Sequence, residues 1–244
     1  MQTISFEDFF LDVYLPVGFS KETPLNLLYV LDGDAFSPMI AETIKLQMRN
    51  SPKTGVWPTI VVGISYHGEA TFSRERRFLD FTPEKTKTPL ETDIRKDFPD
   101  GGGIDYFLEK INRAHQLINQ EYTINQDKVG FFGHSLGGLC VLESYFRQAL
   151  PFVTDYLAIS PSLWWDQEAF FERPLKEAFI NKNVAITVGE DEGDMVDFAL
   201  KAKELILTKN LAKRFQFYIA PEENHMSVVF QSISRNLRWF NQHD

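Results

Sequence analysis

Lys128-Val129-Gly130-Phe131-Phe132-Gly133-His134-Ser135-Leu136-Gly137-Gly138 reads as a strand that runs through G-x-S-x-G into a helix. Val129 to Phe132 is a short β-branched and aromatic run. After the serine, Leu139, Val141, Leu142, Tyr145 and Phe146 recur at helical spacing. That context turns a cheap five-residue pattern into a nucleophile elbow, a strained strand-to-helix turn that pushes the serine hydroxyl out of the backbone. The residues two before and two after the serine must be small enough for strand and helix to approach, and Gly133 and Gly137 meet that demand. Ser135 is the candidate nucleophile.

Outward from the elbow, apolar runs alternate with helical patterns. Phe6 to Leu15 predicts an antiparallel leading strand. Leu25 to Leu31, Thr59 to Ser65, Val129 to Phe132, Tyr156 to Ser160, Val184 to Val188 and Phe215 to Ile219 predict further strands, nearly continuous in apolar residues as strands buried on both faces should be. Helices are expected over Pro38 to Met48, Ile104 to Glu121, Leu136 to Ala149, Gln167 to Ile180, Met195 to Leu207 and Val228 to Gln242. The alternation predicts an α/β fold, a mostly parallel sheet covered by helices on both faces, with ligands bound at the C-terminal ends of the strands. A chain of 244 residues with 43% hydrophobic content is expected to form a single domain spanning residues 1–244.

Composition narrows the partners. A net charge of −9 and a pI near 5.1 repel phosphate backbones and anionic lipid surfaces, so neither nucleic acid nor membrane is an expected partner. The start Met1-Gln2-Thr3-Ile4-Ser5-Phe6 has no basic and apolar signal pattern, and no apolar run reaches membrane-spanning length, so a cytoplasmic location is expected. Cys140, the single cysteine, falls on the apolar face of the helix after the elbow and is expected in the core.

A serine nucleophile needs a base. Of five histidines, His225 is best placed, in the loop Ala220-Pro221-Glu222-Glu223-Asn224-His225 between the last strand and the last helix. His115 lies mid-helix, His243 is near the terminus, and His134 adjoins the nucleophile with its side chain directed away from the hydroxyl. His67 precedes the serine, against the order serine, acid, histidine. The acid should follow the penultimate strand, where Gly189-Glu190-Asp191-Glu192-Gly193-Asp194 offers several carboxylates. Glu192 is the first choice, Asp191 the second, with Asp194 also open and a serine-histidine dyad as an alternative. These carboxylates also suit a solvated turn at the start of the next helix. The expected oxyanion donors are the backbone N–H of Leu136 and that of Asp34, in the turn Leu31-Asp32-Gly33-Asp34 where Gly33 allows a sharp bend. No metal site is expected, because no ligand spacing follows the paired aspartates. The glycine run Asp100-Gly101-Gly102-Gly103 predicts a mobile loop over the cleft.

The elbow, the Leu31-Asp32-Gly33-Asp34 turn, Arg77-Phe78-Leu79-Asp80-Phe81-Thr82-Pro83 and Ile159-Ser160-Pro161-Ser162-Leu163-Trp164-Trp165 together resemble the putative-esterase family of α/β-hydrolases. Within that group the R-x-x-D-F-T-P and S-P-S-L-W-W segments are most similar to the bacterial siderophore esterases. The resemblance implies an α/β-hydrolase fold and a serine esterase that works through an acyl-enzyme without a cofactor. Its substrate would be a small-molecule ester, in the siderophore case a ferric catecholate trilactone. It further suggests Arg77, Trp164 and Trp165 as substrate-binding residues, through cation–π and carboxylate or catecholate contacts. The competing readings are an Arg77–Asp80 ion pair and two core tryptophans. Other functions left open are a general carboxylesterase or thioesterase, an acyltransferase of the same fold, and a binding module without activity.

Overall fold

The computed structural model describes residues 1–68, 70–88, 91–92, 95–172 and 181–242. Its eight described strands are β1 (Gln2–Phe6), β2 (Phe9–Tyr14), β3 (Leu25–Val30), β4 (Thr59–Ser65), β5 (Ile124–His134), β6 (Asp155–Ile159), β7 (Asn183–Gly189) and β8 (Arg214–Ala220). They form one sheet in the order β1-β2-β4-β3-β5-β6-β7-β8. β1 pairs antiparallel with β2, and β2 antiparallel with β4. Every other pairing is parallel. The helices are α1 (Gly33–Gln47), α2 (Ser51–Thr54), α3 (Arg74–Phe81), α4 (Ile104–Glu121), α5 (Leu136–Arg147), α6 (Trp165–Glu168), α7 (Asp194–Thr208) and α8 (Ser227–Phe240). This is the expected α/β-hydrolase architecture.

Strand alternation distributes the core over both faces. Leu27, Tyr29, Val129 and Phe131 point into one cluster beneath α4, α5 and α7, while Leu28, Val30 and Phe132 point into another beneath α1 and α8. Because the central strands are covered on both sides, each of their residues is buried and the sequence reads as an unbroken apolar run. No helix among the described residues is long and apolar enough to cross a membrane.

Several expectations are corrected. The N-terminal run is a hairpin of two strands, turned at Glu7 (φ 51°). α1 starts at Gly33, not Pro38; a proline usually marks the first helical position, but here it lies inside the helix. α3 was not expected at all, since its eight residues are too few to display a period. Of the expected helix Gln167 to Ile180, only Gln167 and Glu168 at the end of α6 and a 3-10 turn, Ala169–Glu172, are described, and the remainder lies outside the described residues. The glycine run is docked rather than loose: Gly102 N donates to Thr82 O (3.0 Å) and Gly103 N to Leu79 O (2.9 Å). A side chain at Gly101 would collide with Thr82 and come within 2.9 Å of the Trp165 ring.

Candidate active site

β5 delivers the elbow to the C-terminal edge of the sheet. Gly133 and His134 pair with Ala158 and Ile159 of β6, and Ser135 N donates to Ile159 O at 3.0 Å, so the ladder runs up to the serine itself. Ser135 then adopts φ 60° and ψ −118°, a conformation that side-chain-bearing residues rarely populate. The crowding differs from expectation. A Cβ on Gly133 would fall on the Gly137 carbonyl, as predicted, but one on Gly137 meets nothing nearer than Leu31 Cβ at 3.4 Å and Asp32 Oδ2 at 3.5 Å. The second tight glycine is Gly138, where a Cβ would come within 2.8 Å of Ile159 O and 3.0 Å of Pro161 Cα. Gly133→Ala and Gly138→Ala should therefore each lose about 1–3 kcal/mol of stability, whereas Gly137→Ala stays within about 1 kcal/mol. Urea denaturation of the three variants checks the ranking.

Three chain-distant residues converge on this edge. His225 Nδ1 lies 2.6 Å from Glu192 Oε2, which orients the ring and leaves Nε2 for other work. The Glu192 side chain is only 1% exposed and its other oxygen accepts from Gly189 N (2.6 Å) and Ser160 Oγ (2.5 Å). Asp194 is spent on Arg95 at 2.8 Å, and Asp191 is exposed. Of the three acids weighed, Glu192 is the one on the histidine. Ser135 Oγ rests 3.3 Å from Ser162 Oγ, whose residue is buried and whose N–H donates to Ser135 O. Ser160 and Ser162 escaped the sequence reading as contributors. The signal was present in Ser160-Pro161-Ser162 directly after β6, at the same sheet edge.

The expected oxyanion donors occupy helix starts. Leu136 is the first residue of α5 and Asp34 the second of α1, so no preceding turn offers either N–H a carbonyl. The sharp bend before α1 is made by Asp32 (φ 53°) and not by Gly33. Gly33 is small for a different reason: its Cβ would approach Gly63 Cα of β4 to 2.7 Å. The Asp34 carboxylate accepts from Tyr66 N (2.8 Å) and His67 N (3.3 Å), tying the start of α1 to the end of β4.

Arg77 is revised. Its Nε donates to Asp32 Oδ1 at 2.8 Å and its Nη2 to His134 O at 3.4 Å, with the side chain 15% exposed. The guanidinium is committed to the turn before α1 and to the elbow, not to Asp80, which pairs with Arg76 and Tyr66 instead. Trp165 is also revised: it is buried, and its indole N–H donates to Pro83 O at 3.0 Å. Trp164 is half-buried, with the Arg95 guanidinium 4.7 Å above its ring.

The remaining described histidines have other partners. His67 pairs with Asp12 (2.7 Å) and stacks on Phe10; its ring, Asp12 and Asp34 bring potential metal donors within 4.8 Å of one another, a cluster the sequence spacing did not reveal. His243 lies outside the described residues. Cys140 is buried, and burial pushes its thiol well up. His115 is buried against Phe152 beside Tyr29 and Asn119, and burial lowers it to about 4. His134 is lowered to about 3, by burial first and then by the neighbouring His225. The unfolded chain takes up both protons near pH 6.5 and the native protein does not, so stability falls as pH drops from about 6.5 toward 4. In a thermal melt series, His115→Gln should fall less steeply over that window by up to one proton; an unchanged slope contradicts this.

A family model described as Putative esterase matches residues 7–239. The ferri-bacillibactin esterase of Bacillus subtilis is 31% identical over 227 residues, covering 87% of this chain and 78% of that protein. The apo-salmochelin esterase of Escherichia coli O6:H1 is 31% identical over 176 residues, 69% of this chain and 52% of that protein. The crystal structure of the BES protein from Bacillus cereus superposes with a TM-score of 0.87 at 33% identity, covering 99% of this chain and 96% of that one.

Proposed function

The chain belongs to the putative-esterase family, and from that premise we propose that it is a serine esterase acting on the trilactone scaffold of a catecholate siderophore. The observation that carries the reading is the 31% identity to a ferri-bacillibactin esterase over most of both chains. The R-x-x-D-F-T-P and S-P-S-L-W-W segments and the serine, histidine and carboxylate gathered at one sheet edge support it.

In this reading Ser135 exchanges its contact with Ser162 for the free Nε2 of His225, which takes the hydroxyl proton as Ser135 attacks the ester carbonyl. Glu192, bonded to Nδ1, stabilises the imidazolium. The N–H groups of Leu136 and Asp34 receive the oxyanion. His225 returns the proton to the leaving alcohol, then activates the water that releases the acid. No cofactor enters these steps.

The substrate is tested by comparing a catecholate trilactone, an acyl thioester and p-nitrophenyl acetate. A clear kcat/KM preference for the trilactone is expected; failure to cleave it while hydrolysing the acetate ester moves the assignment to a general carboxylesterase. Trp164→Ala should cost about tenfold on the trilactone and little on the acetate ester, since only the former has rings to stack. Arg77→Ala, by contrast, leaves Asp32 buried without its cation. It should lower stability by about 3–5 kcal/mol and reduce activity on both substrates alike.

A further inference from the structure

His134 is the residue the proposed mechanism leaves without a task. It is only 2% exposed, precedes the nucleophile, and carries a ring whose Nε2 lies 2.7 Å from the backbone carbonyl of His225. A carbonyl only accepts, so the proton is on Nε2. Nδ1 is buried with no hydrogen-bond partner.

The loop that carries His225 is held on both sides of it by its own neighbours. Asp191 N donates to Glu223 O, while the Asn224 side chain accepts from Met226 N and Ser227 N. The His225 carbonyl is where the loop is joined to the elbow. We infer that His134 is a positioning residue for the general base: its Nε2–H fixes the His225 backbone relative to the residue adjoining the nucleophile, and thereby sets the reach from His225 to Ser135. This rests on His225 being the base.

The neighbours keep that donor in one form. The two imidazole rings are 4.5 Å apart and the Arg77 guanidinium lies at the His134 carbonyl, so a proton on Nδ1 would add a second buried cation with no acceptor. Phe36 packs edge-on to the ring at 5.6 Å and fixes its plane. His134 therefore stays neutral while His225 cycles through its imidazolium, and no repulsion between the rings opposes that step.

The test uses His134→Phe, which keeps the bulk and removes the donor, and His134→Gln, which restores an N–H donor. With p-nitrophenyl acetate, His134→Phe should lower kcat about 10- to 100-fold at nearly unchanged KM. His134→Gln should recover most of the loss. Wild-type kcat in the Phe variant overturns the inference, as do equal losses in both variants accompanied by equal drops in Tm. Should the Phe variant not fold, nitrogen NMR of the wild type decides: an Nε2–H tautomer that does not titrate between pH 5 and 9 is expected, and an Nδ1–H tautomer or a titrating ring refutes it. His225→Ala run beside them separates the two readings, because activity retained there removes the base assignment itself.

Discussion

Ser135→Ala should leave a folded protein without esterase activity, with kcat down by about 10⁵- to 10⁶-fold, and a fluorophosphonate should label the wild type at Ser135 alone. The fold survives because the hydroxyl contributes one long contact, to Ser162 Oγ at 3.3 Å, and no core packing. The backbone makes a sharper prediction possible. Any residue with a Cβ retains the strain of φ 60° and ψ −118°, whereas glycine adopts it freely. Ser135→Gly should be as inactive as Ser135→Ala yet more stable by about 1 kcal/mol, or about 2–4 °C in Tm. Labelling at another serine, or an active alanine variant, removes Ser135 from the mechanism. Equal melting temperatures for the two variants contradict the claim of strain alone.

His225→Ala should cost about as much in kcat as Ser135→Ala, and the double variant little more than either, since members of one catalytic unit fail together. Glu192→Gln is expected to fall between, about 10²- to 10⁴-fold, because the amide can still face Nδ1 but cannot stabilise the imidazolium. Glu192 Oε1 also accepts from Gly189 N and Ser160 Oγ, so the substitution places an amide NH₂ against those donors or against the histidine nitrogen and lowers Tm as well. Asp191→Asn and Asp194→Asn should stay near wild type, the former side chain being exposed and the latter bonded to Arg95. Steady-state kinetics on p-nitrophenyl acetate ranks all six. A loss at Asp191 or Asp194 exceeding that at Glu192 would reassign the acid.

The sheet was legible because its central strands are buried on both faces and so appear as unbroken apolar runs; Thr59–Ser65 and Ile104–Glu121 have the bounds their patterns predict. The elbow was legible for a local reason too, since a strained turn flanked by glycines leaves its mark within six residues. Loop position before the last helix singled out His225 without any knowledge of contacts. Short α3 and the early start of α1 were not legible: eight residues show no period, and Pro38 disguised the helix around it.

What the chain order and residue types determined by themselves was the α/β architecture, the candidate serine and histidine, and a short set of acids for the third place. Only tertiary structure decided among partners, because hydrogen bonds between distant segments depend on which strands lie side by side. The β6–β7 and β7–β8 pairings bring Ser160, Glu192 and His225 together. The approach of α3 to the turn before α1 turns Arg77 onto Asp32 and the His134 carbonyl. Burial of the elbow places the His134 ring under the loop that carries His225. Sequence spacing carries no record of such contacts, since 91 residues separate His134 from His225 and the fold alone closes that gap to 2.7 Å.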